Sequence, residues 1–275
     1  MTTTAAAAQL AAIDSAPEQR FVLGLRVDAT SYQDAVDRVL GWARERASRY
    51  VCIANVHMTM EAYDDSAFRA IVNQADLVTP DGMPLVWALR ALGVRDATRV
   101  AGPDLMLDVC DAAAAAGVPV GFHGGSEATL AALRARLRRT HPELDVVYAE
   151  SPPFRPPTDV ERSATIAAIA SSGARVLFVG LGCPKQERWM AEQRGAVPAV
   201  MIGVGAAFDF HAGLVKRAPA TLQRAGLEWA YRLAMEPRRL FVRYARHNPR
   251  FLTLLAVQLL RSRRGEANGR QPPSS

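Results

Sequence analysis

The chain has 275 residues, 49% of them hydrophobic and 22% charged, enough apolar content to bury a full core and too much for a chain disordered overall. Its net charge of +6 is unevenly placed: residues 1–215 hold 20 Lys/Arg against 24 Asp/Glu, and residues 216–275 hold 13 against 3. Three cysteines, Cys52, Cys110 and Cys183, are an odd number at no metal-like spacing; they argue against a disulfide framework and for buried, reduced thiols in a cytoplasmic protein.

Residues 1–19 carry neither a basic n-region nor a long apolar run and read as a disordered leader, not a secretory signal. From Arg20 to Phe210, apolar runs of strand length alternate with helix-period segments. That pattern predicts an α/β catalytic core over 20–215: a Rossmann-like, mostly parallel sheet with helices on both faces. The expected strands are Phe21–Val27, Tyr50–Ala54, Leu77–Thr79, Val118–His123, Leu144–Tyr148, Val176–Gly180 and Ala199–Gly203. A helix over Ser31–Arg46 is capped at Thr30 or Ser31, and one over Pro103–Ala116 stops at Gly117. The prolines of 151–157 forbid regular structure and introduce a helix over Thr158–Ser171. After Pro219 the pattern is purely helical: Ala220–Glu236, Pro237–Asn248 and Pro249–Arg264, each of the last two opening on a proline suited to a first turn. This segment, 216–264, reads as a basic appendage, and 265–275 as a disordered tail.

Ligands of such sheets settle at the carboxyl ends of the strands. Four loops should therefore share one edge: Asn55-Val-His57, Thr79-Pro-Asp81-Gly-Met83, His123-Gly-Gly-Ser126 and Gly180-Leu-Gly-Cys-Pro-Lys-Gln-Glu187. Asp81, at a strand-to-helix junction, is either an N-cap that satisfies first-turn amides or an ionised carboxylate able to accept a proton. The turn Gly180–Glu187, with Lys185 beside its exposed amides, suits a diphosphate, although two glycines in such a turn also arise for steric reasons alone. It fits neither the Walker nor the dinucleotide fingerprint. Gly205 allows close backbone approach to a ligand, and Asp209 reads as an internal hydrogen-bond anchor. The five histidines, 57, 123, 141, 211 and 247, show no ligand spacing, so the sequence supports no metal site. No carboxylate pair of the Asp-x-Asp kind ends any strand, so Arg, Lys and backbone amides would have to stabilise a departing diphosphate.

The basic appendage interleaves arginines with Trp229, Tyr231, Phe241, Tyr244, Phe251 and a Leu-rich run. It reads as a solvated face, a nucleic-acid surface or a membrane-surface element; no nucleic-acid module is present, and the mixture of cations with bulky apolar groups favours the membrane. The longest apolar run, Phe251–Leu260, is about half of the roughly 20 residues that span a bilayer. The chain is therefore not expected to cross one.

Taken together, Ala54-Asn55-Val-His57, Ala75–Met83, Arg99-Val-Ala-Gly-Pro-Asp104-Leu105, Val179–Glu187, Gly203–Asp209, Gly226–Arg232, Glu236–Leu240 and Arg243-Tyr244 resemble the WecG/TagA/CpsF family of bacterial glycosyltransferases, in order and over roughly Arg20–Phe251. The resemblance implies an inverting, metal-independent, cofactor-free hexosyltransferase, peripheral on the cytoplasmic face of the cell membrane, in surface polysaccharide synthesis. Its donor would be a UDP-sugar and its acceptor a polyprenyl-diphosphate-linked saccharide; the partners are then an anionic membrane surface and no nucleic acid, and self-association is common among members. The catalytic base of the family falls on Asp81. Arg99 and Gln186 fall at donor-contacting positions of the family, beside the further substrate-binding candidates Asn55, Lys185 and Gly205, with Arg232, Arg239 and Arg243 closing over the diphosphate and arginines beyond Arg246 meeting lipid. Ile53 departs from a Thr common in relatives, which leaves the sugar open among N-acetylmannosamine, its uronic acid and glucose. A polyanion-binding module and a sugar-nucleotide hydrolase are the competing readings.

Overall fold

The computed structural model describes residues 16–219, 221–222 and 227–263. Residues 1–15 of the expected leader, the expected tail 265–275, and parts of the helix expected over 220–236 lie outside these. The strands are β1 (Gln19–Val22), β2 (Leu25–Asp28), β3 (Arg49–Ala54), β4 (Leu77–Pro80), β5 (Val120–Gly124), β6 (Val146–Glu150), β7 (Val176–Gly180) and β8 (Val200–Gly203). The helices are α1 (Tyr32–Arg44), α2 (Val56–Asp64), α3 (Ser66–Asn73), α4 (Met83–Ala91), α5 (Gly102–Ala116), α6 (Glu127–Thr140), α7 (Asp159–Ser172), α8 (Lys185–Glu192), α9 (Ala207–His211), α10 (Glu228–Met235) and α11 (Pro237–Arg263).

Six strands form one sheet in the order β4-β3-β8-β7-β5-β6, and every pairing in it is parallel. Both faces are buried, so side chains alternate between two apolar layers with period two. On β3, Tyr50, Cys52 and Ala54 enter one layer, and Val51 and Ile53 the other. The first layer is closed by residues of α2, α3, α4, α8 and α11, and the second by α1, α5, α6 and α9. The expected α/β architecture is thus what the chain forms.

The expected caps hold locally: the Ser31 side chain accepts from the Asp34 amide, and α5 ends on Gly117 in the left-handed region. Thr158, expected as the first helical residue, instead caps α7 in a reciprocal capping box with Glu161. Two elements differ from expectation. The strand expected over Phe21–Val27 is the β1–β2 hairpin, because Leu23 and Gly24 take φ of 52° and 85°, the paired positive values of a tight two-residue turn. The two helices expected to meet at Asn248 and Pro249 are one, α11, with Pro249 inside it. Leu240, His247, Phe251 and Leu255 are all buried at spacings of a single helix face, so packing on both sides outweighs the hydrogen bond that Pro249 cannot donate.

α11 is also tied down by polar contacts. The Gln258 side chain accepts from the Leu23 amide (2.9 Å) and donates to the Phe21 carbonyl (2.7 Å). Arg250 pairs with both oxygens of Asp64 at 2.6 and 2.5 Å. Arg250, Phe251 and Leu255 thus hold the helix to the core.

Candidate functional site

Because β4, β3, β8 and β7 are neighbours, the loops leaving their carboxyl ends open together into a cleft of about 650 Å³. Residues of α10 and α11, among them Glu228, Trp229, Arg232, Arg243 and Tyr244, form its other wall. The Asp81 amide donates to the Ala54 carbonyl at 2.7 Å, which fixes the loop after β4 against the end of β3. Gly82, at φ 103°, is the N-cap of α4, and no side chain caps that helix. The capping reading of Asp81 therefore fails: its carboxylate lines the cleft, with Arg99 Nε 3.4 Å from Oδ1. Removal from bulk water within the cleft pushes the Asp81 carboxyl above its usual range, Arg99 pulls it down, and Glu228 adds to the rise.

Arg99 also donates to Glu228 Oε2 at 2.6 Å. The appendage thus supplies a second carboxylate to the site. Glu228 Oε1 lies 3.8 Å from Arg217 Nε, and Arg217 in turn grips both oxygens of Asp104, at 2.6 Å from Nη2. Tyr32 completes this bracket: its hydroxyl donates to Asp104 (3.1 Å) and accepts from the Ala101 amide (2.9 Å). Burial opposes the charge on Asp104, but Arg217 and Tyr32 outweigh it and hold the carboxyl below its usual range. Glu228 and Arg217 were not singled out in the sequence. Glu228 lies in the stretch Gly226–Arg232, where attention to the arginines hid the one acid among them.

The other expected residues divide. Asn55 lines the cleft and uses its side-chain oxygen to cap α2 through the Met58 amide (3.1 Å). Gln186 is buried at the cleft wall, accepting from the Gly182 amide (3.1 Å) and donating to Glu187 (2.7 Å). Glu187 is fully buried, and burial raises its carboxyl to about 7. Gly205 lines the cleft beside Gln186. Arg232 and Arg243 line it too, each with a buried Nε that has no hydrogen-bond partner, and Arg232 lies 5.4 Å over the Phe210 ring. Ile53 presents an apolar floor against Gly102.

Lys185 is exposed at the start of α8 and is not among the residues lining the cleft. The Arg239 side chain lies outside the described residues, as does Gly226. The loop His123–Ser126 shares this sheet edge, the Gly125 amide donating to the Gly180 carbonyl at 3.1 Å, but it does not line the cleft. His123 is buried and stacked on Trp189 at 4.5 Å. The glycine of that loop, Gly124, sits where a Cβ would come within 2.6 Å of the Gly180 backbone, so the steric reading accounts for it. Asp209 is the internal anchor expected of it, accepting from the Thr129 hydroxyl at 3.2 Å.

The cleft can therefore do two things chemically. It offers a carboxylate of raised proton affinity beside an apolar floor, and it surrounds that group with guanidinium groups from both the core and the C-terminal helices. The sequence model described as the glycosyl transferase WecG/TagA/CpsF family matches residues 20–265 of this chain.

Proposed function

The chain belongs to the WecG/TagA/CpsF family of glycosyltransferases, and from that premise we propose that it moves a hexose from a UDP-sugar to a polyprenyl-diphosphate-linked saccharide, with inversion, at the cytoplasmic face of a membrane. The observation that carries this reading is the shared cleft of Asp81, Arg99, Arg232 and Arg243. Asp81 takes the proton from an acceptor hydroxyl as that oxygen attacks the anomeric carbon from the face opposite UDP. The bond from the anomeric carbon to the UDP oxygen breaks, and its electron pair leaves on the diphosphate. Arg99, Arg232 and Arg243 stabilise that growing charge. No step of this scheme is assigned to a metal ion. Asn55 and Gln186 orient the donor, and the apolar Ile53 leaves the sugar without a hydroxyl partner at that point of the floor.

The test is Asp81→Asn, assayed for transfer and for UDP binding. The expected result is a fall in turnover of about 10²–10⁴ with UDP affinity retained, since the change removes the proton acceptor and keeps the shape. Near-normal turnover would remove Asp81 from the chemistry. UDP release at full rate in the absence of acceptor would replace transfer with hydrolysis.

A further inference from the structure

Three side chains that the proposed reaction leaves unused converge where α2 meets α11. One ligand atom from each of His57, Glu61 and His247 lies within 4.8 Å of the other two. The two imidazole nitrogens are 3.7 and 3.9 Å from the same oxygen, Glu61 Oε1. Those separations are too long for hydrogen bonds, which close at about 2.7–3.2 Å. Moreover, the Nδ1 atoms of His57 and His247 are buried without a hydrogen-bond partner, and His247 is only 7% exposed. Of these, His57 Nδ1 is the nitrogen that faces Glu61, whereas His247 faces it with Nε2 and turns Nδ1 away; a buried nitrogen that faces a carboxylate without touching it leaves room for a group that satisfies both.

We propose that His57, Glu61 and His247 form a binding site for a divalent transition metal of the zinc class, bridging α2 and α11. Two imidazole nitrogens and one carboxylate oxygen are a ligand set that zinc accepts, at about 2.0–2.2 Å per bond. Tetrahedral donors at such lengths stand roughly 3.3–3.6 Å apart, so the observed spacing has to contract by only a few tenths of an ångström at the two short edges and by more at the third. The imidazoles select against magnesium and calcium, which take oxygen ligands. His57 and Glu61 are one turn apart on α2, which sets two ligands at a fixed spacing, and α11 brings the third. Arg243 and Arg246 oppose a cation here, while Glu61 and Asp64 favour it, so micromolar binding is expected in place of the tightest zinc affinities. The ion acts as a bracket: it pins to the core the helix that carries Arg243, beside the cleft that His57 and His247 line.

The experiment uses the full chain, stripped with a chelator and then titrated with zinc alone. One ion per chain should bind, and at a hundredfold excess over Kd the unfolding temperature should rise by roughly 5 °C or more. Cobalt(II) in its place should give visible absorption bands of nitrogen and oxygen coordination. Glu61→Gln, which keeps the shape of the side chain, and His247→Ala should each weaken zinc binding at least tenfold and abolish the thermal shift, with UDP binding by Glu61→Gln unchanged. Failure of the unaltered chain to bind zinc stoichiometrically, as when a water bridges the three groups, overturns the proposal. So does equal zinc affinity in both variants, which would move the ion elsewhere.

Discussion

The Asp81 carboxyl shares one guanidinium, that of Arg99, with a second carboxylate, Glu228. Both neighbours act on its proton affinity, in opposite senses. A base must be ionised, so activity should fall as pH drops through the Asp81 pKa, which lies above the ordinary aspartate value. Removing the negative charge in Glu228→Gln should move that acid limb of kcat/KM to lower pH, and removing the positive charge in Arg99→Ala should move it higher, together with weaker donor binding. A limb that shifts in the same direction in both variants would disprove this electrostatic arrangement. Glu187 makes a separate prediction. Its carboxyl titrates near 7 in the fold against 4.5 in the free state, so the folded form binds the proton more tightly. Stability from this group is fully present below 4.5 and declines as pH rises through 7, by about 3 kcal/mol at roughly 1.4 kcal/mol for each pH unit. Glu187→Gln should flatten that slope in denaturant titrations at pH 5 and pH 8. At this scale Asp81 stood out through the resemblance alone, since its position between a strand and Gly82 left the capping role open until the structure gave that helix no side-chain cap. Glu228 and Glu61 did not stand out, since an acid in a basic segment and a lone acid on a helix acquire meaning only from partners distant in sequence, Arg99 and His247.

At the scale of elements, the parallel core was legible because strands buried on both faces read as continuous apolar runs, and helix ends were legible where a residue such as Ser31 or Gly117 announced them. Two features were hidden for physical reasons. The run Phe21–Val27 conceals its turn because Leu23, not a usual turn residue, occupies one of the two positive-φ positions. Pro249 looks like a helix start, but the stripe of Leu240, His247, Phe251 and Leu255 carries the helix through it. The stripe therefore predicts how α11 responds to truncated side chains. Phe251 is 1% exposed and Leu252 is 59% exposed. Phe251→Ala should cost about 3–5 kcal/mol of unfolding free energy, and Leu252→Ala should change it by less than about 0.5 kcal/mol. Equal effects of the two would mean that α11 does not dock through this face.

Across the whole molecule, the charge divides the protein into an acidic core segment and a basic C-terminal one, and α11, in the basic segment, docks on the core. Its inner face is part of the apolar core. Its outward side exposes Phe241, Val242, Val257 and Leu260, with the exposed Arg238 and Arg246 on the same side. No helix among the described residues is long and apolar enough to cross a membrane, and a lengthwise face of this composition suits the interface of an anionic bilayer instead. Deleting the helix cannot test this, because Phe251 and Leu255 would leave the core with it. Substitution on the outer face can. Each large apolar side chain taken from water contributes about 1.5–3 kcal/mol, so Phe241→Ser combined with Leu260→Ser should weaken binding to anionic vesicles by roughly a hundredfold or more while the unfolding midpoint stays where it was. Raising the salt should weaken the remaining, arginine-driven attraction further. Vesicle binding that ignores the double substitution and responds to salt alone would make the surface purely electrostatic, and the apolar face of α11 would then need a protein partner to cover it.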